Sequence, residues 1–313
     1  MKHNIKITFV LIAMFILTQF IGLFVVNHYI NDGNALPFGL ETPQPNTQAE
    51  YSSFFVTIIF AFIVAILIFF LLTRMKIEFV LRAWFFIVVT IALTISLTSV
   101  FSLFTTYTFI AALLVAVALA SLKIFGRNFL VHNFTELFIY PGIAAVFVPI
   151  LNLYTVLALL VLISIYDIWA VWHSGIMQKM AKYQIDKVRV FSGFFVPYMA
   201  KGMRAKVKNW KKTLSKSQLN KKKIKVNVAI LGGGDVVFPI ITSGVVLKTA
   251  EITMPFGLKQ FVGGFGSALF VIFGATLGLS YLFLVSEKKK FYPAMPFITA
   301  GIVVGMVLGW LIL

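Results

Sequence analysis

The chain contains no cysteine. That absence excludes disulfides, thiolate nucleophiles, zinc–cysteine sites and cysteine-ligated iron–sulfur clusters, and it leaves the compartment open. Charge is scarce: 12 per cent of 313 residues, against 60 per cent hydrophobic, well outside the soluble norm. Acids are scarcer still, with 10 Asp and Glu against 27 Lys and Arg. The four histidines (His3, His28, His132 and His173) are scattered and read as lying at span ends or in loops. No His-Glu-x-x-His occurs, which excludes a zinc metalloprotease helix. Ser174-Gly175 and Ser243-Gly244 resemble fragments of a serine-nucleophile motif, but no histidine sits deep in a span to activate either. No phosphate-cradling glycine loop is evident. No metal or cofactor is expected.

Runs of about 20 apolar residues recur, each long enough to cross a bilayer as a helix. Nine spans are expected: 7–27, 53–73, 83–103, 105–122, 136–152, 154–177, 226–247, 261–285 and 294–313. The first is long for a signal-peptide core, lacks a small-x-small cleavage site and reads as a retained span. With the N-terminus inside, 25 of the 27 lysines and arginines fall in inner segments, and only Lys248 and Lys259 fall outside. The positive-inside rule thus supports an all-α polytopic membrane protein with a cytoplasmic N-terminus and an outer C-terminus. The plan is a six-span half (1–177), a basic cytoplasmic loop (178–225) and a three-span half (226–313).

Between Lys201 and Lys225 stand eleven bases and no acid, with Trp210 the one aromatic. This is expected to attract anionic lipid headgroups rather than nucleic acid. The preceding stretch 188–200, "VRVFSGFFVPYMA", is too apolar for a free linker and is expected to lie along the membrane or cover a site. Trp169 and Trp172 read as membrane-interface anchors.

Eight of the ten acids read as loop or boundary residues, Glu136 among them; Asp167 and Asp235 alone sit deep in spans. An intramembrane carboxylate is a functional hypothesis by default. Taking both spans as helical, each lies roughly 14–15 Å from the inner surface, on sequential antiparallel segments that can face each other. Two such carboxylates in contact share one proton. One takes a proton from water while the other donates to a scissile carbonyl. Gly232, Gly233 and Gly234 strip side-chain bulk beside Asp235, and Pro239 cannot donate to its carbonyl. Alternatively, glycines and proline serve helix packing and a kink.

These residues resemble a known family. Tyr166-Asp167 is similar to the Tyr-Asp motif of presenilins and signal peptide peptidases, Gly232–Asp235 fits their Gly-x-Gly-Asp motif, and Pro293-Ala294-Met295 resembles their Pro-Ala-Leu motif. Met295 replaces the family leucine, a volume-conserving change. Pro239 is closer to signal peptide peptidase; the inner N-terminus and Pro296 are closer to presenilin. The chain therefore resembles a prokaryotic, archaeal-type homologue of a cell membrane, related to both branches.

The resemblance implies a presenilin-like fold with Asp167 and Asp235 as the catalytic pair. It implies that Pro293, Ala294 and Met295 shape the active site and substrate seat. It also implies single-span or signal-peptide substrates and no obligatory accessory subunit. The two prolines of Pro293–Pro296 are expected to keep the backbone irregular before the ninth span; an ordinary helix start with proline in its first turn is the alternative. Tyr166 is expected to bond a carboxylate, to pack on substrate or to pack between helices. On physical grounds alone the carboxylate pair also suits a proton- or cation-coupled transporter or leak channel, and an inactive scaffold has the same sequence features.

Overall fold

The computed structural model describes residues 5–30, 34–41, 43, 45–74, 78–126, 128–174, 191–198, 227–249, 263–286 and 292–313. The basic run 201–225 and the flanks of the 188–200 stretch lie outside these. Among the described residues there are nine α-helices: α1 (Ile5–Ile30), α2 (Gln48–Arg74), α3 (Glu78–Phe101), α4 (Thr108–Phe125), α5 (Phe129–Phe147), α6 (Leu153–Trp169), α7 (Gly233–Lys248), α8 (Phe265–Val285) and α9 (Met295–Ile312). Between α6 and α7 lies a hairpin of β1 (Gly193–Tyr198) and β2 (Asn227–Gly232).

Eight helical segments are long and apolar enough to cross a membrane, and α7, with 16 residues, is the ninth helix. Large apolar side chains face outward along them, among them Val56, Phe60, Ile63 and Leu67 of α2. In water this surface would drive aggregation; in a bilayer it is what a spanning helix requires. Helices α1, α5 and α7 form the centre, with α3 and α4 packed beside α5, and α6, α8 and α9 beside α7. Leu11, Phe15, Val26, Ala144, Val236 and Ile240 are buried in that centre.

Two pairings set the helix spacing. On α8, a Cβ at Gly274 would overlap the carbonyl of Gly301; on α9, a Cβ at Gly305 would overlap the carbonyl of Phe270. With Gly278, these glycines form small-xxx-small stripes on both helices, and without side chains the backbones meet directly. On the other side, Gly142 of α5 packs against the carbonyl of Ala92 in α3, and Ser96 donates to the carbonyl of Phe138 in the turn before Pro141.

Three expectations are corrected. The seventh span does not run as one helix over 226–247: residues 227–232 are strand, and the helix begins at Gly233. Asn-Val-Ala-Ile-Leu-Gly is rich in strand formers, and Gly193–Tyr198 supplies the antiparallel partner that a lone segment would lack. The depth calculated for Asp235 therefore used the wrong rise per residue. The fifth span begins at Phe129, not 136, so Glu136 is no boundary residue; it lies inside α5 at 1% exposure. Lys123 in the last turn of α4 is also buried and pairs with it, so two charges enter the protein interior as one neutral unit. His132, too, is buried on α5 rather than placed in a loop.

Candidate active site

Asp167 and Asp235 lie at the meeting of three helix ends. Asp167 sits in the last turn of α6, which continues through a π-helical turn at Ala170–Ser174. Asp235 sits in the first turn of α7. Their carboxylates are close enough to act on each other electrostatically.

Each acid meets a helix N-terminus. Gly232 is the N-cap of α7, with extended backbone angles and no side chain to cap the helix. Asp235 occupies the third helical position and accepts from the Gly232 backbone N–H. This is one half of a capping box, in which the third-position carboxylate reaches back to the N-cap amide. Asp167 does for α9 what a cap residue does for its own helix. Its Oδ2 accepts from the backbone N–H of Met295 at 3.0 Å, and Ala294 N–H also donates to it. The N-cap of α9, Ala294, has no side chain that could serve, and Pro296 has no N–H to leave unpaired. The positive ends of two helix dipoles thus converge on the two acids, which lowers the cost of carrying them inside the protein.

The Pro293–Pro296 segment takes the alternative form: α9 begins as a regular helix at Met295, with proline in its first turn. What matters is where that N-terminus points. Ser164, one turn before Asp167, meets Thr299, one turn after Met295, at 2.9 Å between hydroxyls, so α6 and α9 are aligned by a second polar contact.

The three glycines of the motif separate in role. Gly232 caps α7 and pairs with Gly193, which adopts a positive φ of 145° that side chains rarely allow. Gly233 is buried, and a Cβ there would come to 2.7 Å from Ser192 Oγ and 2.8 Å from Tyr140 Oη. Gly234 is exposed, and among the described residues only the Phe238 ring comes near a Cβ placed there. Tyr166 is 44% exposed, with its ring 6.4 Å from that of Trp169.

Several neighbours escaped the sequence reading. Gln19 of α1 is fully buried and donates to the carbonyl of Val236, in the turn that Pro239 interrupts. A lone amide in the middle of an apolar span was the available signal. Tyr140 of α5 is buried against Phe194 and Gly233. Among the described residues no three His, Asp or Glu side chains gather as a metal ion would need.

The sequence pattern described as "Signal-peptide peptidase, presenilin aspartyl protease" matches residues 12–313. Two solved structures are similar. One, of a presenilin family intramembrane aspartate protease in space group C222, aligns at TM-score 0.59 and 18% identity over 96% of this chain and 98% of that one. Another of that description, in space group P2, aligns at TM-score 0.54 and 20% identity over 96% and 95%. At these identities the likeness is one of fold. No curated protein matches the sequence. A family match over nearly the whole chain shows that this multi-pass membrane protein belongs to the signal-peptide peptidase and presenilin family of aspartyl proteases.

Proposed function

We propose that the chain hydrolyses peptide bonds of transmembrane helices or signal-peptide remnants, with Asp167 and Asp235 as the catalytic dyad. The observation that carries this is the meeting of the two acids at two helix N-termini, beside the exposed Gly234. Asp167 accepts the Met295 N–H, which suits it to the anionic role, and Asp235 is assigned the proton-donating one.

The steps follow. Asp167 takes a proton from a water molecule, and the water oxygen bonds to the scissile carbonyl carbon. Asp235 gives its proton to the carbonyl oxygen. The resulting tetrahedral diol collapses as the carbon–nitrogen bond breaks. Its nitrogen takes the proton held on Asp167, and a hydroxyl proton returns to Asp235. The products are a carboxylic acid and an amine, and the dyad regains its starting state. Water enters from the inner side between α6, α7 and α9, and the basic run 201–225 rests on anionic headgroups of that leaflet.

The test is incubation of the purified protein with a helical transmembrane reporter peptide, followed by mass mapping. Cleavage is expected inside the apolar segment and is suppressed by a transition-state-mimicking aspartic-protease inhibitor. Ion flux through proteoliposomes without any cleavage would overturn the reading.

A further inference from the structure

The hairpin that leads into Asp235 is held from outside by α5. Asn133 grips Phe195 at two points: its Nδ2 donates to the Phe195 carbonyl at 2.8 Å, and its Oδ1 accepts from the Phe195 N–H at 3.1 Å. One residue away, His132 Nε2 meets the carbonyl of Gly193 at 2.9 Å, and the His132 and Phe195 rings lie 4.6 Å apart. A carbonyl only accepts, so Nε2 carries the hydrogen. Nδ1 then accepts from the Lys123 ammonium at 3.2 Å, which is itself paired with Glu136. A buried ion pair thus fixes the histidine tautomer, and the histidine fixes a strand.

The strand register shows what these contacts achieve. Phe195 sends both its backbone groups to Asn133, so Phe195 and Ile230 form a non-hydrogen-bonded pair of the antiparallel ladder. The same parity applies to Gly193 with Gly232 and to Pro197 with Val228. The outward-facing positions of β1 are therefore 193, 195 and 197. The first is bonded through its carbonyl to His132, the second is gripped by Asn133, and the third is a proline with no N–H. The outer edge of β1 is closed by α5. A two-stranded hairpin alone is marginally stable, so this edge contact decides whether the hairpin is fixed or loose. Its far end is Gly232, the N-cap of α7, three residues before Asp235.

We propose that Asn133, seconded by His132, is a positioning residue of the active site: it holds β1 as a third strand would, and through the β1–β2 register it fixes the N-terminus of α7 that carries Asp235. This rests on reading Asp235 as catalytic, and the test separates the two claims. Asn133→Ala removes both bonds and leaves the helix bundle core intact. Backbone hydrogen exchange of full-length protein in detergent is expected to quicken at least about tenfold over 193–198 and 227–232, with α8 and α9 unchanged. On the reporter peptide, kcat per folded molecule falls between about ten- and a hundredfold, the penalty for a catalytic group displaced by about an ångström, while KM stays within about threefold. His132→Gln, whose amide can still donate to the Gly193 carbonyl, keeps near-normal exchange and kcat; His132→Ala does not.

Unchanged hairpin exchange in Asn133→Ala overturns the proposal whatever the activity. Faster exchange with unchanged kcat, or a loss of kcat no larger than the loss of folded protein, also overturns it. Absence of cleavage by the wild type overturns the reading of the dyad instead, and the exchange measurement still decides whether α5 holds the hairpin.

Discussion

Asp167→Asn and Asp235→Asn each abolish cleavage of a transmembrane reporter, by about 10⁴-fold or more, while the protein stays folded. Each variant removes the only group that can hold or release the proton at its position. General acid–base catalysis contributes about 10²–10⁴-fold for one such group. Because the two act as one unit, losing either costs about as much as losing both. The sign of the stability effect is a further check. The meeting of α6 and α7 holds two carboxylates that cannot both be charged without repelling each other, so one must keep its proton. An asparagine in either place removes that requirement, and its amide can donate to the remaining carboxylate. Thermal unfolding in detergent is therefore expected to show the Asn variants equal to or more stable than the wild type. If the variants lose activity only by unfolding, or if either retains substantial turnover, the dyad is not the catalyst.

The second large effect is expected far from the acids. Gly301→Ala should destabilise the protein by about 1–3 kcal/mol, the usual penalty for overpacking, and reduce cleavage further than the folded fraction accounts for. Its new Cβ overlaps the backbone carbonyl of Gly274. A carbonyl in a helix cannot swing aside, so α8 and α9 must part by about an ångström to reach ordinary van der Waals distance. The N-terminus of α9 then withdraws from Asp167, which loses the Met295 and Ala294 N–H groups that hold it. Gly309→Ala on the same helix is the control. There the new Cβ comes to 3.2 Å from Phe270 Cβ, so the helices need give only a few tenths of an ångström rather than a full one. Alanine also gains about 1 kcal/mol of helix propensity over glycine. That variant is expected to be neutral or slightly stabilised, with normal cleavage. Equal melting temperatures and equal turnover for the two variants would show that the glycine stripe does not set the position of α9.

Length and apolarity made the membrane class and eight of the spanning segments legible, because a hydrocarbon layer of fixed thickness imposes a fixed length on anything helical that crosses it. The rarity of acids made Asp167 and Asp235 visible, because an unpaired carboxylate in lipid is too costly to be incidental. Glu136 was misplaced for the converse reason. Its cost is cancelled by Lys123, thirteen residues away on another helix, and a pairing across helices leaves no mark on hydropathy. The glycine stripes of α8 and α9 were not read from the sequence: their spacing of four is there, but which residues they touch depends on the crossing of two helices.

Composition, periodicity and the cost of buried charge, all local quantities, determined that this chain spans a membrane many times and carries two acids that demand an explanation. Only the tertiary structure decided that the seventh segment starts as a strand, that α5 grips that strand, and that the ends of α7 and α9 each meet one of the acids. A strand needs a partner, a helix end acts on whatever faces it, and both partners lie tens of residues away along the chain; folding alone brings them within hydrogen-bond reach.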